Sequence, residues 1–187
     1  MAAGLSRRPV AVGWLGLAIA ALLVAGCGIG ASGPTGRSFP VESIGPSIGT
    51  TAAVAETRAA IAAALATKSL QLDDPKVPFR PPESLAFADA PRAVYQVLLP
   101  DDPSHGFISV YEFADASAAA TAGQEQAHYV GSGPGRVLFP IDARFVIRQL
   151  GTTVLFYAWS PGSSTDLRAA DIQPALEMLG TVIPVPR

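Results

Sequence analysis

The chain has 187 residues, 49% hydrophobic and 15% charged, and a formal net charge of −2. That length suits one domain, and that balance leaves no electrostatic footprint for nucleic acid or an anionic lipid surface. One cysteine excludes an internal disulfide, and no cofactor is implied by any motif in the chain.

Residues 1–9 carry Arg7 and Arg8 and no acid, and residues 10–26, "VAVGWLGLAIAALLVAG", are 17 uncharged positions. A charged start, an apolar run and small residues at its end have the layout of a secretory signal peptide. An uncleaved transmembrane anchor is the competing reading, but such a span usually needs about 20 apolar residues. The stretch Val24-Ala25-Gly26-Cys27, preceded by Leu23, decides between them, because it resembles the lipobox of bacterial lipoproteins. The resemblance covers only the first 27 residues. It implies cleavage after Gly26, a diacylglyceryl thioether on Cys27, and a membrane partner held through that lipid on the extracytoplasmic side. Acylation would leave no free thiol for metal binding or nucleophilic chemistry. Ser6-Arg7-Arg8-Pro9-Val10 also has some likeness to a twin-arginine export signal, although paired arginines are common in ordinary signal peptides. Without residues 1–26 the remaining 161 residues hold 11 basic and 15 acidic side chains, a net charge of −4.

Residues 27–50 read as a flexible tether rich in Gly, Ser and Pro, with a root-mean-square span on the order of 25 Å. A single α+β domain is expected over 51–187. Thr50 or Thr51 can cap a first helix over about 52–68, with Val54, Ile61 and Leu65 as its apolar stripe. Residues 69–91 contain Pro75, Pro78, Pro81, Pro82 and Pro91, a density that favours an extended surface crossing.

From residue 92 the text looks like one unit written twice. "RAVYQVLLP", a turn at "DDPSHG" and "FISVYEF" form a hairpin, and Asp115 or Ser117 caps an alanine-rich helix ending near Gly131. "ARFVIRQL", a turn at Gly151 and "TTVLFYAW" form a second hairpin before a helix ending at Gly180. That helix tolerates Pro174 if Asp171 is its cap and the proline falls in the first turn. Two ββα units predict a four-stranded antiparallel sheet with helices on one face, plus the N-terminal helix.

Few residues form a pattern that chemistry demands. The stretch "VGSGPGRV" at 130–137 follows a helix and precedes a strand, the reverse of a phosphate loop, so Gly131 reads as a helix stop and Pro134-Gly135 as a turn. His105 sits beside Asp101, Asp102 and Ser104, but Ser104 and His105 are sequence neighbours, a geometry that makes a triad hard to build. His128 lies one turn from a helix end, where it stabilises the C-terminus or fills a surface groove. Asp73-Asp74-Pro75 and Asp101-Asp102-Pro103 lack the alternating ligands of a calcium loop and read as turns, so no metal site is expected.

The strands, however, are apolar on both faces. "FISVYEF" places Phe107, Tyr111 and Phe113 on one side with Ile108 and Val110 on the other, and "TTVLFYAW" divides Leu155, Tyr157 and Trp159 from Val154, Phe156 and Ala158. A sheet with one wet face alternates apolar and polar, so something covers the second face. Either the N-terminal helix or the proline-rich crossing does so, or an aromatic groove of Tyr111, Phe113, Tyr157 and Trp159, with Arg144 and Arg148, receives a small molecule or protein. The sequence thus reads as a lipid-anchored binding module of the cell envelope. Its rivals are a hydrolase assembled from distant residues and a structural subunit of an envelope complex.

Overall fold

A computed structural model describes residues 51–186; the stretches read as a signal peptide and a tether, and Cys27 with them, lie outside the described residues. The elements in chain order are α1 (Ala52–Ala66), β1 (Leu72–Asp73), α2 (Leu85–Asp89), β2 (Arg92–Val97), β3 (Phe107–Glu112) and α3 (Ala116–Gly131). A 3-10 helix (Pro134–Leu138) follows, then β4 (Arg144–Leu150), β5 (Thr153–Trp159), α4 (Ala169–Glu177) and β6 (Thr181–Val182). The strands form one antiparallel sheet in the order β1-β2-β3-β5-β4-β6.

The α+β class is as expected, but the sheet has six strands rather than four. The two added strands are two residues long and lie at the sheet's edges, too short for any alternation to register in the sequence. Helices also cover both faces rather than one. Val54, Ile61 and Leu65 of α1 and Ile172 and Leu176 of α4 pack on Tyr95, Val97, Ile108, Val110, Leu155 and Tyr157. Phe87 of α2 and Ala119, Ala122, Ala127 and Val130 of α3 pack on Tyr111, Ile147, Val154 and Phe156. Apolar side chains on both faces of β3 and β5 are thereby explained, each large one removed from water being worth about 1.5–3 kcal/mol. Strand–strand–helix recurs in chain order, yet α3 and α4 land on opposite faces, so the halves are not equivalent units.

Local chemistry sets the boundaries. Thr51 Oγ1 accepts from Val54 N–H at 3.2 Å and caps α1; it also donates to Glu112 Oε1 at 2.9 Å, pinning the helix start to β3. The buried hydroxyls of Thr57 and Thr153 meet at 2.7 Å and seat the same helix on β5. Asp115, rather than Ser117, caps α3 through Ala118 N–H at 2.8 Å. Gly151, with φ +60°, is the first of two turn residues between β4 and β5, the place where a type II′ hairpin demands glycine.

Three expectations change. Within the proline-rich crossing the chain forms β1 and α2, because Ser84 begins a helix just beyond Pro82 and Phe87 then reaches the core. Gly131 is the last residue of α3 rather than its stop, and Pro134-Gly135 opens a 3-10 helix rather than a simple turn. Pro174 lies well inside α4, with Asp171 in the first turn and not at the cap. Arg168 is the cap residue, and Asp166 braces the turn before it: its carbonyl accepts from Ala169 N–H at 3.0 Å and its carboxylate from Arg168 N–H at 2.9 Å.

Candidate functional site

On the sheet face that carries α2 and α3, the helices cover only one end. At the other end the start of β3 and the end of β5 present Phe107, Ser109, Phe156 and Ala158 to a cleft of about 200 Å³. One wall is the segment Phe79, Arg80, Pro81 and Pro82, and the opposite wall is Phe139, Pro140 and Ala143. Phe79 stacks on Phe107 with centroids 4.2 Å apart and planes 8° from parallel. Phe139 meets Phe145 edge-on at 4.9 Å, and Phe145 in turn lies 6.4 Å from Phe156. The cleft is therefore an aromatic slot with short polar groups at its rim: His105, Ser160 and Ser163. Pockets that are mostly apolar with a few placed polar groups are the usual form of a small-molecule site.

Its first wall is tied down from behind. The Glu83 carboxylate, almost wholly buried, accepts from Arg80 Nε at 2.7 Å, from the Arg92 guanidinium, and from Tyr111 Oη at 2.7 Å. Burial and the adjoining Glu83 charge push the Tyr111 phenol well above its ordinary range, so it remains a donor to that carboxylate. Gln126, fully buried on α3, accepts from Ser84 N–H at 2.7 Å and donates to the Pro82 carbonyl at 3.1 Å. Because prolines cannot donate, the crossing must be held through carbonyls and through residues just beyond the prolines, and Gln126 and Tyr111 supply those bonds.

Two buried or bonded carboxylates hold the mouth. Asp102 Oδ1 is 2.5 Å from His105 Nδ1, while its Oδ2 accepts from Ser164 Oγ at 2.8 Å and Thr165 N–H at 3.2 Å. Burial raises the Asp102 pKa, but the bonds from His105, Ser164 and Thr165 outweigh it, and the carboxyl sits below its usual range. Asp142 accepts from Ser160 Oγ at 2.5 Å and Gly162 N–H at 2.7 Å, bonds that likewise lower its pKa. Gln96 Nε2 clasps the same end by donating to the carbonyls of Pro103 and His105, at 2.8 and 3.1 Å.

His105 and Asp102 form an oriented pair, but Ser104 Oγ lies 3.4 Å from the same Nδ1 that Asp102 occupies. A relay needs the nucleophile on the opposite ring nitrogen, and among the described residues Nε2 of His105 has no hydrogen-bond partner. The cluster works as a latch joining the β2–β3 loop to the chain that enters α4. Inside the cleft the hydroxyl of Ser109, 1% exposed, has no partner in hydrogen-bond geometry, though it lies near enough to Tyr111 to act on its phenol. A buried hydroxyl left unpaired costs about 1–3 kcal/mol, so the proximity of the Tyr111 phenol offsets part of that cost.

The six residues singled out from the sequence divide between two faces and do not form one groove. Tyr111 is fully buried against Phe87, with centroids 4.1 Å apart, and Phe113 packs 5.9 Å from the same ring. Tyr157 is buried on the opposite face among α1 and α4, its phenol pushed up by burial and by Asp102. Trp159 shares that opposite face, donates from Nε1 to Gln173 Oε1 at 2.9 Å, and reaches the rim of the cleft. The Arg144 guanidinium lies 5.7 Å from the Trp159 ring centroid, and Arg148 donates to the carbonyls of Leu179 and Gly180. Phe79, Phe139, Phe156 and Ser109 are the cleft residues that sequence reasoning passed over as a site. A signal existed in the pairing of an aromatic with proline at both Phe79-Arg80-Pro81 and Phe139-Pro140.

Among the described residues, no helix is long and apolar enough to cross a membrane. Comparison of the chain with protein-family models, with curated proteins and with solved structures finds no match in any of the three.

Proposed function

We propose that the chain is a lipid-anchored, extracytoplasmic binding protein of a bacterial cell envelope, held through Cys27, whose domain takes up an apolar small molecule in the aromatic cleft. The anchor rests on the signal-like run that ends at Val24-Ala25-Gly26-Cys27. The binding role rests above all on one observation: an apolar slot on an otherwise covered sheet face, closed behind by Glu83, Tyr111 and Gln126. Its volume of about 200 Å³ suits one aromatic ring with a short substituent or a branched alkyl chain bearing one polar atom. A slot with walls fixed before the ligand arrives avoids much of the ordering cost of binding.

Two experiments test this reading. Metabolic labelling with radioactive palmitate should mark the wild-type chain and not Cys27→Ala; label retained on the variant would refute the anchor. Native mass spectrometry of the full chain, extracted from its own host in mild detergent, should show a noncovalent small molecule on the wild type. Ala158→Trp, which fills the cleft, should remove that mass. A wild type at its calculated lipidated mass, or an adduct equally present on Ala158→Trp, would refute the cleft as the binding site.

A further inference from the structure

A second surface lies at the β6 side of the sheet. The strand β6 pairs only with Arg148 and Gln149, and the last bond along that edge is from Ile183 N–H to the Ile147 carbonyl at 3.0 Å. Ile183 then enters the core beneath α3, and the chain runs on past Gly131 as far as Pro186. β4, in contrast, continues to Arg144. In an antiparallel strand the N–H and C=O of one residue point to the same side and those of alternate residues share it. The Phe145 backbone groups therefore face outward with those of Ile147, and among the described residues no strand pairs with them there.

A groove of about 810 Å³ runs along this open edge, between Gln173 and Glu177 of α4 and Val185 and Pro186 of the C-terminal segment. Three guanidiniums border it: Arg136, Arg144 and Arg148. Arg136 donates to the carbonyls of Pro140 and Ile141 at 2.9 and 2.7 Å, Arg148 to that of Gly180 at 3.0 Å, and Arg144 lies over Trp159. Among the described residues none of the three is within ion-pair distance of a carboxylate, and Glu177 is the only acid bordering the groove. In a chain whose net charge is −2, this is a local reversal of sign.

We propose that the open edge of β4 accepts an extended acidic segment of a partner polypeptide as an added strand. Unpaired peptide groups select a peptide, as in other cases of strand addition, and the arginines select its charge. Arg144 and Arg148 are four residues apart on one sheet face, about 13 Å along a strand. Arg148 lies opposite Val182 of β6, so the added strand begins beyond it and places its carboxylate beside Arg144, with Arg148 at the end of the groove. Arg136 borders the groove from the 3-10 helix and adds to its positive charge. A bilayer of anionic lipid fits the charge but supplies no backbone groups for Phe145. This surface is independent of the cleft, so either can fail without the other.

The test uses the full chain in mild detergent and a seven-residue peptide of alternating glutamate and valine, with a lysine–valine peptide for comparison. Titration should show binding of the glutamate peptide only, weakened about ten-fold or more between low and physiological salt. Arg144→Glu, an exposed position, should weaken it by about ten-fold or more, while Lys76→Glu, on the distant crossing, should not change it. Hydrogen exchange at the Phe145 amide should slow when the peptide binds. Equal binding of the lysine peptide, no effect of Arg144→Glu, or unchanged exchange at Phe145 would each overturn the proposal. So would displacement of the peptide by anionic phospholipid vesicles whose own binding depends on Arg144.

Discussion

Replacing Tyr111 separates two roles that this side chain combines. Its ring is fully buried against Phe87 at 4.1 Å, and its hydroxyl donates to the buried Glu83 carboxylate at 2.7 Å. Tyr111→Phe keeps the ring and removes only the hydrogen bond. Glu83 retains Arg80 and Arg92, so the charge is not orphaned and the loss should lie near the range for bonds to charged groups, about 1.5–3 kcal/mol. Tyr111→Ala also loses the ring, and emptying an aromatic-sized site costs about 3–5 kcal/mol more. Against a total stability of about 5–15 kcal/mol, a combined loss of about 4.5–8 kcal/mol should move the unfolding midpoint of the alanine variant far below that of the phenylalanine one. Urea unfolding followed by circular dichroism measures both. A phenylalanine variant indistinguishable from wild type, or an alanine variant no less stable than the phenylalanine one, would refute the reasoning that Tyr111 is a core residue bracing the cleft wall.

Other substitutions probe the remaining joints. Ser109→Ala removes a buried hydroxyl that makes no bond in good geometry and acts only on the Tyr111 phenol, so its urea midpoint should shift less than that of Tyr111→Phe. Gly180→Ala should destabilise markedly in the same urea assay, because Gly180 has φ +45° and a Cβ there would come within 2.1 Å of the Gln149 carbonyl oxygen. Asp102 and Asp142 have folded-state pKa values below the ordinary carboxyl range, and Arg168 holds Asp166 down to about 2. A carboxyl depressed on folding stabilises the protein fully above its unfolded pKa and loses that contribution as pH falls through its folded value. The urea midpoint should therefore hold from neutrality to about pH 5 and then decline toward pH 2, and Asp166→Asn should flatten part of that decline.

The sequence carried the architecture further than the site. The pairs Thr50/Thr51 and Asp115/Ser117 announce two helix starts and Gly151 a hairpin, for local reasons, a hydroxyl or carboxylate at a cap or a positive φ at a turn; the structure selects Thr51 and Asp115. The apolar residues on both faces of β3 and β5 correctly required two covers, and α1 is one of them. Which helix goes to which face is a long-range matter. Period-two alternation says that Tyr111 and Tyr157 are buried, yet their half-turn difference in register puts them on opposite sides of the sheet. The cleft was illegible for a related reason: its walls, Phe79 to Pro82 and Phe139 to Ala143, lie about 60 residues apart and are brought together by Glu83, Gln126 and the 3-10 helix. Asp102 and His105 were visible as neighbours, but their tie to Ser164 and Thr165 spans more than 60 residues and has no local signature.

A crystal structure of the full chain purified from its own host would test the cleft most directly. Electron density for a small apolar molecule is expected between the Phe79 and Phe107 pair and Phe139. A cleft without such density, closed by movement of Phe79 or Phe139 onto Phe156, would contradict the binding role.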